Sequence, residues 1–184
     1  RAGDHVFVTG TIGDGALGLQ VVQGGLTDLP QTARDHLRDR YHLPRPRTAA
    51  GVALAEAGVR CAIDVSDGLV ADLGHLCRGS GVAATVTRDA VPLSDAARRV
   101  VSAMPEQWPT ILNGGDDYEL LFAAPESLAD RLQALSHDLG LPITRIGRFE
   151  AASPQVVVSG PDGPVTLPPG GFDHFAALAG SDTR

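Results

Sequence analysis

The sequence predicts an α/β (α+β) fold, a mixed β-sheet with helices packed on its faces. Three observations carry that prediction. Apolar runs short enough for strands alternate with helical periodicities along the whole chain. Residues 118–123 are almost continuously apolar from Leu120 onward, as in a strand covered on both sides. Pro161-Asp162-Gly163 sets a hairpin turn, so crossover units and a terminal hairpin share one sheet.

Taken in order, residues 5–9 form an apolar strand, and Gly13-Asp14-Gly15 turns it into a helix. That helix has Ala16, Leu17, Leu19 and Val22 as apolar positions and stops at Gly24-Gly25. A second helix covers residues 31–41, before Pro44 and Pro46 forbid its continuation. Thr48 is expected to cap a short Ala-rich helix ending near Gly58. Residues 59–63 make a strand, followed by a helix with Leu69, Leu73, Leu76 and Cys77 on one face. Residues 82–86 alternate as a strand, and Ser94 caps a helix with Ala97, Val100, Val101 and Met104 inside. Residues 105–113, including Trp108, read as a loop. Pro125 starts a helix through Leu139, with Leu128, Leu132, Leu135 and Leu139 on one side. Strands over 143–149 and 155–158 lead to the hairpin and a last strand over 165–167.

With 184 residues, one domain with a sizeable core is expected. The apolar share is 43% and the aromatic share only 4%, so Ala, Val and Leu must fill that core. A net charge of -7 argues against nucleic acid or an anionic membrane as partner. The Arg40, Arg45 and Arg47 patch is the local exception, as a phosphate contact, a docking surface or a solvated connector. No apolar run approaches the roughly 18 residues of a membrane span. Cys61 and Cys77 lie in apolar settings without metal-ligand spacing, as reduced core cysteines of a cytoplasmic protein.

Two acidic segments carry the chemistry: Asp64-Val65-Ser66-Asp67-Gly68-Leu69, and Asn113-Gly114-Gly115-Asp116-Asp117-Tyr118-Glu119-Leu120. The first sits where a strand turns into a helix, where backbone N–H groups suit a phosphate oxygen. Asp64 and Asp67 would repel that phosphate unless a cation such as Mg²⁺, which favours hard oxygen ligands, lay between them. The same residues also serve as ordinary N-caps and turn formers, and both readings stand on spacing alone. Asp117 and Glu119 read as turn and strand-edge groups. The Gly13-Asp14-Gly15 turn looks like a phosphate loop, a pattern too common to decide anything.

Together with Gly171-Phe172-Asp173-His174-Phe175, Gly3-Asp4-His5-Val6-Phe7-Val8-Thr9-Gly10 and Arg40-Tyr41-His42-Leu43-Pro44-Arg45-Pro46-Arg47, these segments resemble the thiamine-monophosphate kinase family. That family belongs to the wider aminoimidazole ribonucleotide synthetase superfamily, and the matches run in order to residue 175. The resemblance implies the superfamily's C-terminal domain fold, with ATP and thiamine monophosphate as ligands and Mg²⁺ as cofactor. It implies a homodimer in the full-length protein. It places Asp64 and Asp67 as metal ligands, Ser66 on ATP, and Asp116 and Phe172 at the thiamine end. No catalytic residue beyond the metal ligands follows from it, and His174 receives no role. The family commonly has Glu where Asp116 stands, a shorter reach with the same charge. The chain starts at Arg1, at the family's mid-chain point, so an N-terminal half with further metal and nucleotide residues is expected elsewhere, and this chain alone is expected to be inactive. Another ATP-dependent superfamily member, or a non-catalytic binding module, are the alternatives.

Overall fold

The computed structural model describes residues 1–168. Seven strands form one sheet in the order β2-β4-β1-β5-β3-β6-β7. They are β1 (His5–Thr9), β2 (Cys61–Asp64), β3 (Ala83–Thr87), β4 (Leu120–Ala124), β5 (Ile143–Glu150), β6 (Val156–Gly160) and β7 (Gly163–Pro164). β1 lies between β4 and β5, antiparallel to both. Only β3 and β6 run parallel, so the expected mixed sheet is present with far more antiparallel pairing than crossover units would give.

Period-two alternation along the strands divides the core. Val6 and Val8 of β1, with Leu121 and Ala123 of β4, face the larger core, where Leu17, Leu37, Leu69, Leu73, Val100 and Ile111 meet them. These come from α1 (Asp14–Val22), α2 (Gln31–His42), α4 (Leu69–Ser80), α5 (Asp95–Ala103) and α6 (Trp108–Asn113). Phe7 and Phe122 face the other way, towards Leu54 of α3 (Thr48–Ala57) and Leu132 of α7 (Ala129–Leu139). Their rings stack with centroids 5.5 Å apart and planes 12° from parallel. One sheet thus separates two cores, which is why residues 120–124 carry no polar side chain.

Most expected elements are present, and the differences have local causes. Residues 105–113 are not a loop: a 3₁₀ turn over Pro105–Gln107 runs into α6, whose Ile111 and Leu112 are buried. Pro109 sits in the first turn of α6, where a missing N–H costs nothing. Pro125 precedes a 3₁₀ turn, and the α-helix begins only at Ala129. Arg47, not Thr48, is the N-cap of α3, and it makes no side-chain cap. Ser94 does cap α5, its hydroxyl accepting from the Ala97 N–H at 3.0 Å. In α1 it is Val21 that is buried, while Val22 stays 43% exposed. The terminal hairpin closes at Gly163, but β7 has only two residues, paired through Ser159–Pro164 and Gly160–Gly163.

The first helix is anchored by charge as well as by packing. Asp14 is fully buried and accepts from Thr11 Oγ1 at 2.8 Å and Ser94 Oγ at 2.6 Å, while His36 Nε2 of α2 lies 3.3 Å away. The hydrogen bond to Asp14 raises the imidazole pKa against the opposing effect of burial.

Two outcomes follow for the folded chain. Phe122→Ala removes a fully buried ring from the smaller core and is expected to cost about 3–5 kcal/mol, read from chemical denaturation. His36 binds its proton more tightly folded than unfolded, so its stabilisation is present below about pH 6.5 and is lost as pH rises through the folded value. The melting-temperature advantage of the parent over His36→Gln should therefore shrink from pH 6 to pH 8.5. A constant difference would show that the pair contributes no proton-linked stability.

Candidate functional site

The β2·β4 ladder ends with Asp64 opposite Leu120, but the two chains do not part there. The Val65 N–H donates to Glu119 O at 2.8 Å, the Tyr118 N–H to Val65 O at 2.9 Å, and the Asp116 N–H to Ser66 O at 3.0 Å. The two acidic segments are therefore stitched together, residue against residue, beyond the end of the sheet. Glycine makes the approach possible. A Cβ on Gly115 would collide with Ser66 O, and one on Gly68 would lie 2.5 Å from Asn113 O. Gly68 also has φ 121°, so its place at the head of α4 is closed to other residues twice over.

Asp72, in the first turn of α4, holds the first segment from below. It is 2% exposed, and one of its carboxylate oxygens accepts from the N–H groups of Ser66, Asp67 and Gly68 at 3.0, 3.1 and 3.2 Å. This corrects the expectation for the turn: these N–H groups are taken by the helix's own carboxylate and are not free for a phosphate. Asp72 occupies the i+3 slot of the stripe Leu69, Leu73, Leu76. A carboxylate on an otherwise apolar face was the signal for it. Burial raises its pKa against those three hydrogen bonds, and the nearby Asp67 charge adds to the rise. Asp67, Asp72 and His75 bring one ligand atom each within 4.8 Å of one another.

The second segment is held in an uncommon backbone shape. Asp116 has φ 68° and Tyr118 φ 52°. Left-handed conformations at non-glycine residues cost on the order of 1–3 kcal/mol each, so surrounding contacts must hold them. Asp117, between the two, is 1% exposed and accepts from the N–H groups of Gly13 and Gly15 at 2.7 and 3.0 Å. Burial pushes its carboxyl up to about 7 against those two hydrogen bonds. The glycine turn that resembled a phosphate loop thus binds this carboxylate. Glu119 is also buried, and it accepts from Thr9, Arg40 and Arg47. It is no strand-edge group. Of the three arginines, Arg40 is buried and Arg47 mostly so, while Arg45 pairs with Asp39 at the surface.

What remains are the carboxylates that the protein does not neutralise. Asp64 is exposed, while Asp67 and Asp116 are half-buried. Among the described residues, no arginine, histidine or N-terminal amine lies within 4.0 Å of any of the three. The Tyr118 hydroxyl donates to Asp116 at 3.3 Å, and its pKa is raised first by the Asp116 charge, with burial and the charges of Asp64 and Asp67 adding to the rise. Ser66 lies between Asp64 and Asp67 on the same turn. Asp64 and Asp67, with the Ser66 hydroxyl between them in sequence, offer oxygen donors of the type a hard divalent cation takes, while the group whose ligand atoms lie within 4.8 Å of one another is Asp67, Asp72 and His75. Phe172 and His174 lie outside the described residues. No described helix is long and apolar enough to cross a membrane.

Comparison with known proteins agrees with this architecture. The family model AIR synthase related protein, C-terminal domain, matches residues 1–159. Thiamine-monophosphate kinase of Salmonella typhimurium is 41% identical over 177 residues, 96% of this chain and 54% of that protein. That of Escherichia coli K12 is 40% identical over 179 residues, again 96% and 54%. Thiamine-monophosphate kinase from Stenotrophomonas maltophilia K279a superposes with a TM-score of 0.78 at 41% identity, covering 86% of this chain and 50% of its own. AaThiL complexed with AMPPCP and TMP gives 0.77 at 31% identity, covering 95% and 52%. The chain therefore spans about half the length of the curated relatives it matches. Matched by the domain model over most of its length and sharing its fold with these solved structures, the chain belongs to the AIR synthase related protein family and carries its C-terminal domain.

Proposed function

We propose that this chain supplies one side of the active site of a thiamine-monophosphate kinase, which transfers the γ-phosphoryl group of ATP to the phosphate of thiamine monophosphate. The observation that carries the reading is the division among the acids. Asp14, Asp72, Asp117 and Glu119 are satisfied by hydrogen bonds or arginine, whereas Asp64, Asp67 and Asp116, on the two joined segments, have no cationic partner within 4.0 Å among the described residues. Curated relatives at 40–41% identity bearing that name, and AaThiL complexed with AMPPCP and TMP, support it.

In this reading Asp64 and Asp67 would hold Mg²⁺, whose preference for carboxylate oxygens their chemistry fits. When bound, Mg²⁺ would supply the positive charge that lets two phosphates approach each other. The bond between the γ-phosphorus and the β–γ bridging oxygen breaks, and that oxygen leaves with its electron pair as part of ADP. A bond forms between that phosphorus and a phosphate oxygen of thiamine monophosphate, giving thiamine diphosphate. The chain's task is placement: Ser66 offers a hydroxyl to ATP, and Asp116 faces the cationic thiazolium. Phe172 offers a ring to the thiamine moiety. Asp72 keeps Ser66 and Asp67 in place through their N–H groups. Transfer is direct, with no phospho-enzyme.

Three outcomes test the reading. The 184-residue chain by itself should form no thiamine diphosphate from Mg-ATP and thiamine monophosphate, because it spans about half of the relatives that bear the activity. In the full-length protein, Asp67→Asn should lower turnover by about 10- to 100-fold and raise the Mg²⁺ requirement, with little change in melting temperature. Phe172→Ala should weaken thiamine monophosphate binding by roughly 0.5–2 kcal/mol with stability nearly unchanged. A loss of about 3–5 kcal/mol in stability at unaltered affinity would make that ring a core plug instead.

A further inference from the structure

Glu119 is the most heavily bonded carboxylate in the described residues, and nothing in the proposed chemistry uses it. Arg47 chelates it, Nε donating to Oε2 at 2.7 Å and Nη2 to Oε1 at 2.6 Å. Arg40 Nη2 donates to Oε1 at 3.1 Å, and Thr9 Oγ1 to Oε2 at 2.7 Å. The same Arg40 nitrogen donates to the backbone carbonyl of Asp117 at 3.2 Å, so one guanidinium grips the chain on both sides of Tyr118. Thr9 Oγ1 also accepts from the Leu120 N–H at 2.8 Å, which extends the grip into β4. Every donor comes from outside the acidic segment: the end of β1, the last turn of α2, and the connector into α3.

The gripped stretch is the strained one. Asp116 and Tyr118, with φ 68° and 52°, lie directly before Glu119. Without an external hold, the chain here has a less strained backbone available, and Asp116 would move away from Asp64 and Asp67. Exposed ion pairs contribute little, but this one is different: Glu119 is 1%, Arg40 6% and Arg47 21% exposed at the side chain, and the chelate fixes direction as well as distance.

We propose that Arg47, acting through its chelate with Glu119 and alongside Arg40, is a positioning residue that sets where the Asp116 carboxylate stands relative to Asp64 and Asp67. Arg47 touches no phosphate in this role and acts on metal and acceptor binding through the loop. This inference rests on the proposed kinase reading of those three acids, and its test keeps the two separable.

The test uses the full-length protein with Arg47→Met, Arg47→Lys and, as control, Arg45→Met, whose arginine pairs among the described residues with Asp39 at the surface. Mn²⁺ affinity is followed by the loss of its free electron paramagnetic resonance signal, and KM for thiamine monophosphate and kcat are measured beside it. Arg47→Met should weaken Mn²⁺ binding and raise KM, each by about tenfold, with a smaller change in kcat. Arg47→Lys, which keeps the charge but not the chelate, should recover part of both, and Arg45→Met should match the parent. If Arg47→Met does not fold, the pair Arg47→Met/Glu119→Gln takes its place, since it leaves no carboxylate unpaired, and the same shifts are expected. A folded variant with a lower melting temperature but parental Mn²⁺ affinity and KM would overturn the proposal and leave Arg47 as a structural ion pair. A parent that binds Mn²⁺ but does not phosphorylate thiamine monophosphate would sink the kinase reading. The Mn²⁺ comparison would still decide the role of Arg47.

Discussion

The site exists because two chain segments 50 residues apart keep hydrogen bonding after their strands have ended. Inside the sheet, β2 and β4 are an ordinary antiparallel pair. Past Asp64 and Leu120 the same pairing continues in irregular backbone, through Val65, Ser66, Asp116, Tyr118 and Glu119. That continuation is what puts two runs of like charge against each other. Repulsion there is opposed by backbone hydrogen bonds, which do not depend on side-chain charge. The glycines are part of the same constraint: Gly68 and Gly115 stand where one added carbon would force the segments apart.

Around this join the acids divide by environment. Asp117 and Glu119 point back into the domain, where glycine N–H groups and arginines meet them. Asp72 supports the turn above it. Asp64 is exposed and Asp67 and Asp116 are half-buried, and the Tyr118 hydroxyl donates to Asp116. Asp116 and Asp117 are adjacent, yet one is half-buried without a cationic partner and the other is sealed at the head of α1. The positive φ at Asp116 and Tyr118 brackets that change of direction. The strain lies on the stretch whose side chains must diverge.

Much of this fold was legible in the sequence, because hydrophobic periodicity and turn chemistry act locally. The helices with Leu69, Leu73 and Cys77, or with Leu132, declared their inner faces, and Ser94 declared its cap. That each acidic segment lies where an apolar strand meets a turn could likewise be read from the sequence. The structure adds how those segments meet, since the Asp116–Ser66 and Tyr118–Val65 bonds join residues remote in sequence. The same holds for Arg40 and Arg47. As arginines among prolines they read as a phosphate contact, a docking surface or a solvated connector, and only the fold delivers them to Glu119. A hint was present: Glu119 opens a strand otherwise apolar on both faces, where a buried carboxylate requires a cation. Helix α6 escaped because Pro105 and Pro109 mask a single helical turn whose burial is tertiary.

The central claim is that Asp64 and Asp67 form a cation site where β2 and β4 end. Anomalous diffraction from crystals of the chain grown with Mn²⁺ tests it most directly, because it locates the ion without relying on turnover. The account predicts a peak in contact with Asp64 and Asp67 on the Tyr118 side of the turn. A peak confined to the Asp67, Asp72 and His75 group, or no peak near Asp64, would contradict it.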